Sequence, residues 1–190
     1  MKIITGTAKG RRLVTLEGTD TRPTSERIKE AVFSALQFDL EGRIVLDLFA
    51  GSGQMGLEAL SRGAGRAMFV DASAEAIAIV KTNAKATGFF EVGRYLISDY
   101  RNYIRKAAGR DVYDLVFIDP PYAMMCCTEA VRRLAEARLL ARGAILVLEC
   151  GAEGIRTEEL KGFRVLKDKA YGRTTRIVIL FYEGGENVCV

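Results

Sequence analysis

From Arg43 onward, short apolar runs alternate with segments of helical period, and no other feature constrains the fold of this chain as tightly. Strands of a parallel sheet are covered by helices on both faces. They therefore read as unbroken apolar runs separated by crossovers long enough to hold a helix. Residues 44–49, 67–70, 95–97, 113–118 and 144–148 read as five such strands, the third the weakest. Between the second and third, Ser73 is placed to cap a helix with Ile77, Val80 and Ala84 on one face and Glu75 at its electropositive start. Val131, Leu134, Ala135 and Leu139 make a second helical stripe. Past Gly162 the rhythm changes, and residues 163–166 and 176–182 are two strand-like runs joined through a Tyr-Gly turn. The predicted fold is α/β: a Rossmann-like, mostly parallel sheet finished by an antiparallel hairpin.

The first 42 residues have a different pattern. Ile3 and Ile4 are expected to pair with residues 12–14 in a short hairpin around Lys9 and Gly10. Thr24 is expected to cap a helix with Ile28, Ala31, Val32, Ala35 and Leu36 on one face. We read residues 1–42 as an N-terminal extension and residues 43–190 as the domain that carries the chemistry.

Composition narrows that chemistry. The 190 residues include no histidine, which removes Ser-His-Asp and Cys-His schemes and any zinc site needing an imidazole. Lysine and arginine number 28 against 24 aspartates and glutamates, and the net charge of +4 permits a polyanionic partner without demanding one. Cys126, Cys127, Cys150 and Cys189 show no C-x-x-C spacing and are too sparse for a disulfide scaffold, so reduced thiols and no metal site are expected. No apolar run approaches the roughly 18 residues that would span a bilayer, and the apolar pair after Lys2 is too short for a signal segment. A soluble, cytoplasmic protein is expected.

Gly51, Gly53 and Gly56 form a G-x-G-x-x-G run directly after a strand and before a helix. Glycines there let the backbone approach a ligand, and the helix start offers unpaired N–H groups. Asp71 follows at the end of the next strand, placed for ribose hydroxyls. On that pattern alone both a nicotinamide dinucleotide and S-adenosylmethionine are candidates. Two further carboxylates favour the second. Asp47, just before the glycines, suits an amino-acid ammonium but would repel a pyrophosphate, and Asp99 ends the third strand within reach of an adenine amine.

Asp119, Pro120, Pro121 and Tyr122 close the fourth strand. Pro120 cannot donate to a ladder and holds Asp119 extended, so the strand ends in a rigid turn. The turn presents a carboxylate, proline carbonyls expected to meet no competing N–H, and an aromatic ring. That set suits the exocyclic amine of a nucleobase: Asp119 and the Pro120 carbonyl accept its two hydrogens while Tyr122 stacks on the base. Attack on a sulfonium needs no dedicated base, so the missing histidine is no obstacle. Basic residues cluster near the start, at Lys2, Lys9, Arg11 and Arg12, then Arg22, Arg27 and Lys29. We read this segment as an RNA contact.

With these motifs in place, the chain resembles the bacterial small-subunit (16S) ribosomal RNA guanine-N2 methyltransferases. The resemblance spans nearly the whole sequence, most specifically residues 21–25, 45–53, 56–64 and 117–122. It implies S-adenosylmethionine held by Asp47, Ala50, Gly51, Ser52, Gly53, Asp71, Asp99 and Tyr100. It implies a flipped guanine held by Asp119, Pro120, Pro121 and Tyr122, with Arg22 and Thr24 approaching the active site. With the basic N-terminal segment, the expected RNA contacts are Lys9, Arg11, Arg12, Arg22, Thr24 and Arg27. The implied partner is small-subunit ribosomal RNA within an assembling 30S particle, met by a monomer. Asp71 stands where the family usually has glutamate, and residues 123–127 lack its polar continuation. A DNA adenine-N6 methyltransferase shares the Asp-Pro-Pro-Tyr motif but needs a target-recognition region for which this chain has no room. A non-catalytic ribosome-assembly factor is the alternative outside enzymology.

Overall fold

The computed structural model describes residues 1–15, 23–36, 40–121 and 124–184, the side chains of residues 23–25 excepted. Its elements are α1 (Pro23–Ala35), β1 (Ile44–Asp47), α2 (Gln54–Ser61), β2 (Arg66–Asp71), α3 (Ala74–Thr87), β3 (Gly93–Ile97), α4 (Tyr100–Ala107), β4 (Tyr113–Ile118), α5 (Cys127–Glu136), β5 (Leu140–Cys150), β6 (Phe163–Tyr171) and β7 (Thr175–Tyr182). The strands form a seven-stranded sheet in the order β3-β2-β1-β4-β5-β7-β6. Packing divides the chain into two compact units, residues 1–100 and 101–190. Among the described residues, no helix is long and apolar enough to cross a membrane.

In the first unit β1, β2 and β3 run parallel, with Asp47 opposite Phe69 and Asp71 opposite Ile97. Apolar side chains are buried on β1 and β2, at Val45, Leu46, Phe69 and Val70, whereas Leu96 and Ile97 on the edge strand β3 stay exposed. β1 ends at Asp47, two residues before the expected end, because Leu48 and Phe49 already turn into the glycine loop. Ser73 caps α3 as expected, its side chain accepting from the Ala76 N–H at 3.2 Å, and Ile77, Val80 and Ala84 are buried.

Two expectations for the N-terminal segment need correction. α1 starts at Pro23, whose fixed φ and missing N–H suit a first helical position, so Thr24 lies inside the helix and is not its cap. Its buried face is made by Ile28, Val32, Phe33 and Leu36; Ala31 is half-buried and Ala35 exposed, since a helix with Phe33 turned inward turns Ala35 out. The expected hairpin amounts to one antiparallel bridge, Lys2 to Arg12, flanked by backbone bonds such as Ile3 N–H to the Arg11 carbonyl at 2.9 Å.

What holds this segment is α2. The Glu58 carboxylate, fully buried, accepts from the N–H groups of Ile4 at 2.7 Å and Thr5 at 3.0 Å. Its remaining acceptor capacity goes to Arg62 Nε at 2.8 Å and Lys29 Nζ at 3.4 Å. Lys29, itself only 1% exposed, also donates to the Lys2 carbonyl at 2.6 Å. Gly6, at φ +88°, lies flat against the Ser61 carbonyl, where any Cβ would collide with backbone.

In the second unit β4 and β5 are parallel, while β7 pairs antiparallel with both β5 and β6. The terminal hairpin is therefore present, and β6 runs on to Tyr171, well beyond the expected residue 166. β5 starts at Leu140, earlier than expected, and α5 ends at Glu136. Leu139 is buried from the turn beyond that helix and not from the helix itself.

Candidate functional site

The glycine loop leaves β1 and enters α2, and its glycines have different tasks. Gly51 takes φ +53°, and a Cβ there would meet nothing within 4 Å, so the backbone faces open space. Gly53, at φ +77°, precedes α2; a Cβ on it would come within 3.0 Å of Val80. At Gly56 a Cβ would run into the Phe69 ring, so this glycine lets α2 lie against β2.

Carboxylates brace the loop. Asp71, half-buried at the end of β2, accepts from the Gly51 N–H at 2.9 Å through one oxygen and the Ser73 N–H at 2.8 Å through the other. Each oxygen keeps a further lone pair for a ligand hydroxyl. Asp47 is 3% exposed and accepts from the Gly56 N–H at 3.0 Å. Desolvation pushes its pKa up to about 7; the Gly56 bond pulls down and the Asp71 charge pushes up. A buried carboxylate with one amide donor and raised pKa calls for a cation, and the α-ammonium of S-adenosylmethionine is of that type. Open space at Gly51 and the cation demand at Asp47 are the two observations by which this loop fits that group.

The other expected cofactor residues are placed as follows. Ala50 N–H donates to the Val70 carbonyl at 2.9 Å and fixes the loop to β2. The Ser52 carbonyl accepts from Asn83 Nδ2 at 2.9 Å. Asp99 is half-buried just beyond β3, and Tyr100, 2% exposed, packs its ring 5.3 Å from that of Phe49.

In the second unit, Asp119 follows β4 directly and is exposed, Pro120 is buried and Pro121 exposed. One expectation is corrected here. The Pro121 carbonyl does have a competing donor, because Met124 N–H bonds to it at 2.8 Å. Tyr122 lies outside the described residues. Pro120 and Pro121 line a cavity of about 310 Å³ together with Met125, Thr128 and residues 149–156. Cys126, Cys127 and Cys150 are buried and in the reduced thiol form. Desolvation pushes the Cys127 thiol well above its ordinary pKa and Cys150 up to about 11, so neither is a thiolate near neutrality.

Of the expected RNA contacts, Lys9, Arg11, Arg12 and Arg27 are exposed. Arg22 and the Thr24 side chain lie outside the described residues. Lys29, read as part of the basic surface, is buried against Glu58. Sequence reasoning missed Asn83, buried on the face of α3 shared with Val80. Its amide accepts from Val14 N–H at 2.8 Å and donates to the carbonyls of Val14 and Ser52 at 2.9 Å each, tying the N-terminal segment to the glycine loop. An asparagine on an otherwise apolar helical face was the available signal.

The chain matches the family model described as Conserved hypothetical protein 95 over residues 1–180. It is 34% identical over 175 residues to a Bacillus subtilis protein named "Putative rRNA methyltransferase YlbH", covering 92% of this chain and 95% of that one. It is 30% identical over 150 residues to the ribosomal RNA small subunit methyltransferase D of Haemophilus influenzae, covering 78% of each. Among solved structures, the Escherichia coli "Putative methyltransferase yhhF" superposes with a TM-score of 0.84 at 27% identity, covering 97% of this chain and 99% of that one. This chain therefore belongs to the Conserved hypothetical protein 95 family, alongside small-subunit ribosomal RNA methyltransferases.

Proposed function

We propose that this protein methylates the exocyclic N2 of one guanine in small-subunit ribosomal RNA, using S-adenosylmethionine, and acts as a monomer on an assembling 30S particle. The observation that carries the reading is the Asp119-Pro120-Pro121 turn at the carboxyl end of β4, in a chain whose first unit holds a carboxylate-braced glycine loop. Bound S-adenosylmethionine supplies a methyl group already activated on a sulfonium.

The chain's own residues bind and orient. Asp47 takes the ammonium, the Gly51 to Gly53 backbone passes close to the ligand, Asp71 takes ribose hydroxyls, and Asp99 takes the adenine amine. Asp119 and the Pro120 carbonyl accept the two N2 hydrogens and leave the nitrogen lone pair free for the methyl group. The Pro121 carbonyl, already engaged by Met124, fixes the turn. Asp119 then receives or relays the proton released after transfer.

The test is transfer of labelled methyl to small subunits from cells lacking this protein, followed by nucleoside analysis. N2-methylguanosine is expected with the wild type. With Asp119→Ala, turnover should fall by roughly a thousandfold, the scale of losing a positioned electrostatic contact, while cofactor binding persists. N6-methyladenosine as the product would overturn the substrate, and an undiminished Asp119→Ala would remove this turn from the chemistry.

A further inference from the structure

The cavity beside the Asp-Pro-Pro turn contains a group that the chemistry above does not use. β4 and β5 run parallel, so the loops that follow them leave the same edge of the sheet, where ligands of open α/β sheets bind. The cavity of about 310 Å³ lies between those two loops, of a size for a single planar base. Pro120 and Pro121 from the first loop and Glu153 and Arg156 from the second are among its lining residues.

Glu153 is exposed and lines this space. Its carboxylate folds back over Gly151, where an added Cβ would strike both carboxylate oxygens. Among the described residues no hydrogen bond or ion pair engages it. Arg156, the nearest cation in the loop, is committed to Glu159 at 2.9 Å, and its N–H is given to Thr128 Oγ1 at 3.2 Å. The Cys127 thiol, also in the cavity wall, is pushed upward chiefly by desolvation, with smaller contributions from the charges of Asp119 and Glu153.

We propose that Glu153 reads the Watson–Crick edge of the target base, its carboxylate accepting the N1 proton of guanine while the Pro120 carbonyl accepts from the neighbouring N2 amine. The assignment rests on the guanine reading above. Guanine presents two adjacent donors on this edge, N1–H and N2–H, which call for two acceptors such as those lining this cavity. A purine whose N1 is an unprotonated acceptor would set a lone pair against the carboxylate and leave the acceptor unpaired, a mismatch that sites of this kind reject strongly. Glu153 is then a specificity-determining residue, separate from Asp119, which acts on the reacting nitrogen.

The test compares guanine with 2-aminopurine, which keeps the reacting 2-amino group but has no N1 proton. Small subunits are reconstituted from ligated ribosomal RNA carrying either base at the nucleotide that the wild type methylates. The wild type should prefer guanine by about tenfold or more, the scale of one well-placed base contact. Glu153→Gln can turn its amide to donate to N1, so it should bring the ratio to within about threefold, chiefly by gaining on 2-aminopurine. Gly151→Ala pushes the carboxylate out of place by a separate route and should lower the ratio in the same direction. Unchanged ratios in both variants would overturn the proposal. A wild type that labels neither base but binds S-adenosylmethionine would overturn the guanine reading itself, and the assignment of Glu153 with it.

Discussion

A carboxylate as deeply buried as Asp47 has no comfortable place for its charge until a cation arrives. Its folded pKa of about 7 lies above the unfolded value of 3.8, so between those pH values the native state binds a proton that the unfolded state has lost. Stability of the free protein therefore falls as pH rises from about 4 to about 7, by up to roughly 4 kcal/mol if this group acts alone. Asp47→Asn should flatten that slope and raise the melting temperature at pH 8, which differential scanning fluorimetry across pH reads directly. The same variant should bind S-adenosylmethionine more weakly by at least tenfold, the cost of about 1.4 kcal/mol or more for a lost charge-assisted contact. Wild-type affinity should strengthen as pH rises through about 7, where Asp47 ionises. An affinity flat in pH would detach Asp47 from the ammonium.

At the scale of elements, α2 is both the helix of the glycine loop and the anchor of the N-terminal segment. Glu58 joins two backbone N–H groups, Lys29 and Arg62 in one buried cluster. Burial lowers the Lys29 pKa and the Glu58 carboxylate raises it again, so the lysine depends on its partner. Glu58→Gln leaves that ammonium buried and uncompensated, and should cost about 3–5 kcal/mol in urea unfolding. A midpoint unchanged from the wild type would reduce the cluster to a passive one.

These contacts also mark where sequence reading stops. β4 was legible to the residue because six apolar-rich positions run up to Asp119-Pro120, where the ladder must stop. The loop after β1 was legible because only glycine tolerates its φ values and close approaches. Glu58 and Asn83 were not, since their main partners are backbone groups 53 to 69 residues away, and a backbone N–H carries no residue-type signature. The start of α1 was misread for a local reason: Thr24 is a good cap by type, but Pro23 already satisfies the geometry of a first turn. In the candidate site, residue types announced Asp119 and the glycines. The competing Met124 donor is a backbone N–H and carries no residue-type signature.

For the molecule as a whole, the net charge of +4 is modest, and its distribution matters more. Lys9, Arg11 and Arg12 are exposed on a segment held rigidly by α2 and α3, so the charges are presented in fixed positions and not on a loose tail. If they meet phosphates, Lys9→Ala with Arg12→Ala should lower the slope of log affinity against log salt by about 1.5. Methyl transfer at saturating RNA should be retained. Filter binding to small subunits over a salt series checks the first, and single-turnover rates check the second. An unaltered slope would place the RNA contact elsewhere.

The clasp between the N-terminal segment and α2 also bears on how the protein is made. Translation delivers the segment first, yet Glu58, Ser61 and Asn83, which receive its backbone, come later. At about 5–20 residues per second, residues 1–15 spend several seconds of each synthesis cycle without their acceptors. For that interval Lys2, Lys9, Arg11 and Arg12 lie beside the translating ribosome, itself a polyanion, on a segment without those backbone bonds. Docking can begin only when α2 has emerged, and the strap across Val14 closes last, when Asn83 arrives. Slow codons placed before α3 would prolong this state, and a pulse-labelled nascent chain would show the segment turning protease-resistant only after residue 83 has cleared the ribosome.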